Sequence, residues 1–304
     1  MGETVSSSKS KLGKLDFDPP VTVASGTFGT EYFDFFDQRW LGAYVSKTVT
    51  FEPKAGNPVP RLYETEAGLL NAIGLQNPGL KGFIGEELPR LRDLLQIPLI
   101  VSFSGSTPTE FCQMLECLEK QPGIAGYEVN VSCPNVEKEG LPFGIDPDVV
   151  FNLTRELSKL TDKELTVKLS PNVSSIEQVA QAAEAGGATS LALINTLWGM
   201  AVDWRTGKSR IGRKVCGYSG MGVKPVALAL TYKAAQAVKI PILAMGGIHT
   251  WRDALEFFYA GASVVAVGTA MFSNSQAVVE LVQGLNGYLE ERNLRLKDII
   301  GKVS

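Results

Sequence analysis

Eight short apolar runs, most of them separated by a helical pattern, narrow the folds open to this chain more than any other feature. They fall at residues 21–25, 43–48, 98–103, 127–131, 165–169, 190–195, 241–245 and 264–267. Helix patterns occupy 81–96, 108–120, 147–160, 175–185, 225–238, 250–260 and 276–291. Most of the runs are near-continuously apolar, as a strand buried on both faces requires. Eight such strand–helix units predict a closed (β/α)8 barrel of the TIM type. A doubly wound open sheet is the alternative. It is disfavoured because no G-x-G-x-x-G turn follows the first strand. Several helix starts are legible: Thr107 before Pro108, Asp146 before Pro147, and Thr250 with Asp253 three residues on.

The length of 304 residues suits one such barrel, predicted over 11–304, behind a Ser-rich lead-in at 1–10 that is expected to be disordered. That lead-in has no apolar core, so it does not read as a signal peptide. No run approaches the 18 apolar residues of a membrane span. A net charge of −3 without Lys/Arg clusters argues against nucleic acid and membrane surfaces as partners. Four cysteines show no disulfide framework, and a cytoplasmic setting is expected. Cys112 and Cys117 have the first spacing of an iron–sulfur motif. Lys120 stands where the third cysteine belongs, so no cluster and no metal are expected. The lone histidine, His249, reads as structural.

The C-terminal ends of the eight runs carry the chemistry. In order they are Ser25-Gly26, Lys47-Thr48, Ser102-Phe103, Asn130 with Cys133, Lys168, Asn195-Thr196, Gly246-Gly247 and Gly268-Thr269. A ring of polar, small and cationic groups in these places is what a barrel's catalytic face presents. Two segments exceed ordinary loop length, 49–80 and 196–224, and both are βα connections on that face. The glycines ending the seventh and eighth strands let backbone N–H groups approach a phosphate, with Gly217 to Gly220 as further donors. Lys47 and Lys168 call for an anionic partner. One of them could stabilise an anionic reduced flavin, or a lysine could form a Schiff base. Cys133 lies between Asn130 and Asn135, a thiol flanked by amides, suited to a base or a nucleophile. Together these residues favour a flavin and a flat, polar heterocyclic substrate.

From about Leu15 onward the chain resembles class 1 dihydroorotate dehydrogenase, catalytic subunit, most closely the class 1B branch. The motifs that carry the resemblance are Ala24 to Gly29, Lys47-Thr48, Asn71 to Asn77, Asn130 to Asn135, Ile194-Asn195-Thr196 and Lys224-Pro225. It implies an FMN-containing barrel that oxidises dihydroorotate to orotate in de novo pyrimidine (UMP) biosynthesis. Cys133 would be the base that takes the C5 proton while hydride passes from C6 to flavin N5. The substrate-binding positions implied are Lys47, Asn71, Ala72, Ile73, Gly74, Leu75, Asn130, Asn135, Asn195 and Thr196. Those for FMN are Ser25, Lys47, Thr48, Ser102, Asn130, Lys168, Ile194, Gly220, Gly246, Gly247, Gly268 and Thr269. Residues 136–146 resemble a mobile loop that covers the site. The sequence departs from the class 1B pattern at Ser102 to Gly105 and at Ser219 to Gly222. The resemblance further implies a homodimer and a second subunit holding FAD and a [2Fe-2S] cluster that passes electrons to NAD; fumarate is the other acceptor considered. The competing readings are a dihydropyrimidine dehydrogenase-like flavoenzyme acting on uracil or thymine, and a flavin-free phosphate-binding barrel lyase.

Overall fold

The computed structural model describes residues 8–132 and 143–304. The chain opens with a hairpin of β1 (Ser10–Leu12) and β2 (Leu15–Phe17). Then come β3 (Val21–Val23), β4 (Tyr44–Val45), β5 (Val49–Thr50), β6 (Leu62–Thr65), β7 (Gly68–Asn71), β8 (Leu99–Ser104), β9 (Gly126–Asn130), β10 (Glu164–Lys168), β11 (Ser190–Leu193), β12 (Leu197–Gly199), β13 (Cys216–Ser219), β14 (Ile242–Met245) and β15 (Val264–Val267). The helices are α1 (Gly79–Gly82), α2 (Leu88–Leu94), α3 (Pro108–Glu119), α4 (Pro147–Ser158), α5 (Ile176–Ala185), α6 (Lys224–Ala237), α7 (Trp251–Tyr259), α8 (Ala270–Ser273) and α9 (Ala277–Glu291).

The principal sheet runs β3-β15-β14-β11-β10-β9-β8-β4, with β5 also on β8, and every pairing in it is parallel. Its two ends meet: Gly42 N–H donates to Val21 C=O at 2.9 Å, and Thr22 Oγ1 donates to Ala43 C=O at 2.8 Å. The (β/α)8 barrel is therefore present and the open sheet is not. Alternation along the strands divides the core in two. Ala43, Val45, Ile100, Ala192, Leu243, Met245, Val264 and Ala266 fill the barrel interior. Their neighbours Tyr44, Val101, Leu191, Leu193, Ala244, Val265 and Val267 pack outward against the helices. The β1–β2 hairpin completes the interior cluster from below, because Leu12 and Phe17 join it with no exposed surface. Residues 1–7 of the expected lead-in lie outside the described residues; Ser8 is buried and Ser10 opens β1.

The second strand is two pieces rather than the single run expected. Val45 pairs with Ile100 and Val49 with Phe103, so four residues advance on one strand against three on the other. That is a bulge. Ser46 Oγ accepts from Ser102 N–H at 3.1 Å in place of a ladder carbonyl. The bulge sits at Ser46-Lys47-Thr48, next to the barrel mouth. The helix expected at 81–96 is broken into α1, a π-helical turn at Phe83–Glu87, and α2. Pro89 in the first turn of α2 has no N–H for the regular ladder, and the widened turn precedes it. Thr107, Asp146, Ser175 and Thr250 cap their helices through side-chain oxygens, and Thr250 with Asp253 forms a capping box.

The two long βα connections are not structureless. They pair into a four-stranded antiparallel sheet, β12-β13-β7-β6, raised over the C-terminal face. Cys112 and Cys117 pack against the core from α3. No helix among the described residues is long and apolar enough to cross a membrane.

Candidate active site

A cavity of about 790 Å3 opens at the C-terminal ends of the strands, between them and the antiparallel sheet. Its volume is in the range of small-molecule and cofactor sites. Among the described residues it gathers nearly every position expected from the sequence. Ser25, Lys47, Thr48, Asn130, Lys168, Ile194, Asn195, Thr196, Gly246, Gly247, Gly268 and Thr269 come from strand ends, and Asn71 to Leu75 and Gly220 come from the long connections. Cys133 and Asn135 lie outside the described residues, as do 136–142 of the expected covering loop. Ser102 departs from its expected place. It does not line the cavity but is fully buried beneath it, its hydroxyl bonded to Thr48 Oγ1 at 2.9 Å and to Glu128 Oε1 at 2.8 Å.

The substrate end is an amide frame. Asn195 Nδ2 donates to Ser132 Oγ at 2.9 Å and to Asn130 Oδ1 at 3.4 Å, and Ser132 N–H donates to the same Oδ1 at 3.1 Å. Ser104 Oγ donates to Asn130 C=O at 2.7 Å, fixing the end of β9. Thr196 N–H donates to Asn195 Oδ1 at 2.8 Å. Asn71, at the end of β7, donates to Gly217 C=O on β13 at 3.5 Å. The frame is thus held by its own hydrogen bonds before any ligand arrives.

The opposite end is a glycine cradle. Gly246 and Gly247 have φ of +123° and +79°, in the region L side chains rarely adopt. A Cβ on Gly246 would stand 2.7 Å from Ala227 Cβ, and one on Gly247 2.7 Å from Lys224 Cβ and 2.8 Å from Lys224 N. Both positions therefore press the β14 turn against the start of α6, where backbone N–H groups and the helix dipole favour an anion. Lys224 locks this corner: its Nζ is 2.7 Å from Asp253 Oδ1 and 3.1 Å from a carboxylate oxygen of Glu256.

Between the two ends stand the lysines. Lys168 Nζ donates to Ser25 Oγ at 3.0 Å and pairs with Glu128 Oε1 at 3.4 Å. Burial, reinforced by the neighbouring Lys168 ammonium, pushes the Lys47 amine below the usual lysine range. Lys47 is aimed at the mouth by the bulge between β4 and β5. The arrangement can hold a flat polar ring against amides, place cations beside it, and seat a phosphate on glycine backbone.

The family model for dihydroorotate dehydrogenase matches residues 7–289. The chain belongs to the dihydroorotate dehydrogenase family. Similar chains include the catalytic subunit of dihydroorotate dehydrogenase B (NAD(+)) from Thermoanaerobacter pseudethanolicus, 47% identical over 296 residues that cover 96% of this chain and 97% of the relative. The protein of the same name from Geotalea uraniireducens is 46% identical over 287 residues, covering 93% and 94%. That from Geobacillus kaustophilus is 44% identical over 295 residues, covering 96% and 94%.

This member of the dihydroorotate dehydrogenase family also lines its cavity with residues the sequence did not single out, among them Lys54, Asn57, Ser170, Asn172 and Arg213. Ser170 follows the β10 end by two residues, so the strand-end rule could have found it. Asn172 donates to Thr196 C=O at 3.0 Å and accepts from Trp198 N–H at 3.0 Å. Lys54, Asn57 and Arg213 arrive only through the folding of the long connections, which no local pattern announces.

Proposed function

We propose that the protein oxidises dihydroorotate to orotate in de novo pyrimidine (UMP) synthesis, with FMN as its resident cofactor. The observation that carries this reading is the convergence, in one cavity, of the asparagine frame and two lysines with a glycine cradle. Asn71, Asn130 and Asn195 match the ring amides and carbonyls of a dihydropyrimidine. Lys47 is available for the carboxylate that distinguishes dihydroorotate from dihydrouracil, and an anion there offsets the burial that pushes its amine down.

The residues suit FMN on chemical grounds. Gly246 and Gly247 let the β14 turn pack directly on the start of α6, so backbone N–H groups there can take a phosphate, and Gly268, Thr269 and Gly220 line the same cavity. Lys168 supplies a buried cation, with Ser25, Thr48 and Ile194 beside it on the cavity wall. Bound there, FMN would supply the hydride acceptor. Cys133, three residues beyond Asn130 in the sequence, is the proposed base. C5 of the substrate is α to a carbonyl, so a thiolate suffices to take its proton.

The relatives' name supports NAD as final acceptor through a separate subunit, for which an FAD and [2Fe-2S] electron carrier is the reading implied by class 1B. A homodimer is supported by an exposed apolar face on the second long connection, where Trp198 is 66% and Trp204 77% exposed beside Met200 and Val202. Anaerobic mixing of the purified protein with dihydroorotate tests the whole reading. Flavin bands near ~370 and ~450 nm should be present and should bleach. Oxidant screening with fumarate, NAD and quinone then identifies the acceptor. A colourless protein that cannot take up FMN, or bleaching by dihydrouracil in preference to dihydroorotate, would sink it.

A further inference from the structure

Glu128 is a buried charged residue beneath the cavity that the proposed reaction does not use. It lies two residues before Asn130 on β9, in the barrel interior, and is 1% exposed. Its Oε1 accepts from Ser102 Oγ at 2.8 Å and meets Lys168 Nζ at 3.4 Å. Its Oε2 is buried with no hydrogen-bond partner among the described residues. The carboxylate does not line the cavity, whereas Lys168 does. A buried carboxylate whose one charged partner faces the ligand acts on that ligand through the partner.

The two lysines of the cavity make the contrast. Lys168 has this carboxylate beneath it; the ion pairs found among the described residues include none for Lys47. A buried charge without a counter-charge is costly and is relieved by loss of the proton.

We propose that Glu128 is a positioning residue that holds the Lys168 side chain, as a cation, against the floor of the cavity where the cofactor ring rests. Ser102, tied to both Thr48 and Glu128, fixes the carboxylate in turn. The proposal rests on the FMN reading above and adds to it the source of the cation's charge. Removing the carboxylate leaves Lys168 with Ser25 as its remaining partner among the described residues and with no counter-charge. The cationic field at the ring is then lost.

Sulfite binding to the FMN-loaded protein measures that field without turnover. Sulfite adds its lone pair to flavin N5, the displaced electron pair comes to rest on the pyrimidine end of the ring, and a neighbouring cation stabilises the resulting anion. Glu128→Gln should weaken sulfite binding by about tenfold, and Lys168→Met by a similar factor. The double variant should lose no more than either single one, because both remove the same charge. Glu128→Asp, which keeps the charge at shorter reach, should fall between wild type and Lys168→Met. Unfolding midpoints of each variant separate this effect from misfolding, and if Glu128→Gln does not fold, Glu128→Asp carries the test. Wild-type sulfite affinity in Glu128→Gln, tighter binding in it, losses that multiply in the double variant, or an aspartate loss exceeding that of Lys168→Met would each overturn the role of Glu128. A wild-type protein that takes up no FMN overturns the cofactor reading first, and is recognised before any variant is made.

Discussion

Asn195 ties the end of β11 to the end of β9 across the intervening β10, since its amide reaches both Ser132 and Asn130 while its own carbonyl oxygen accepts from Thr196. Replacing it with alanine removes the donor to Ser132 Oγ and Asn130 Oδ1 and the acceptor for Thr196 N–H, at a cost of about 1–3 kcal/mol. Asn195→Ala should therefore raise KM for dihydroorotate by about tenfold or more while FMN stays bound; steady-state kinetics with a flavin absorbance check measure both. Cys133→Ala should slow flavin reduction by on the order of 10²-fold with orotate binding retained, the scale of a positioned base, and stopped-flow at 450 nm reads it. Gly247→Ala meets Lys224 at a positive φ, so FMN should wash out on gel filtration. Asn195 and Gly247 were legible as cavity-lining positions because they follow apolar strands, whose ends the barrel brings to one face. Ser102 was misplaced for a physical reason. The β8 strand runs on through Phe103 to Ser104, so Ser102 lies two residues short of its end, beneath the cavity that its hydrogen-bond partner Thr48 lines.

Among the elements, the α6–α7 corner shows how a cap serves a site. Asp253 accepts from Thr250 and His249 backbone N–H groups and from Lys224. Burial works against its ionisation, but those hydrogen bonds outweigh it and hold the carboxyl below the usual range. A carboxyl lowered in the folded state contributes stability that is complete above its unfolded value and is lost as pH falls through its folded value. Asp253→Asn should cost about 1–2 kcal/mol at neutral pH, and the gap should close as pH drops below about 4. Urea unfolding at a series of pH values measures this; a gap constant down to acid pH would remove the charge from the explanation. The cap was readable from Thr250 and Asp253 alone. The π-helical turn before α2 was not, because a periodic apolar pattern does not record where a proline displaces the ladder. Nor were β6, β7, β12 and β13, which are short, partly exposed, and paired only with each other.

For the whole molecule, the barrel was legible because strands buried on both faces leave continuous apolar runs, and the family's motifs fell at their ends. Its lower closure was less so, since the hairpin that supplies Leu12 and Phe17 lies next to a stretch that reads as polar lead-in. Phe17 is fully buried among interior residues from five strands, so Phe17→Ala should destabilise the protein by about 3–5 kcal/mol. Thermal unfolding with intact flavin spectra in the folded state would check that the loss lies in the core rather than in the site. The sheet raised over the mouth joins Leu69 to Ser219 across 150 positions of sequence. A polypeptide still leaving the ribosome can assemble early strands and helices, yet it has no roof until β13 has emerged, and no β14 turn until later still. A chain that has not yet formed β13 and the β14 turn therefore lacks both the roof and the glycine corner of the cavity.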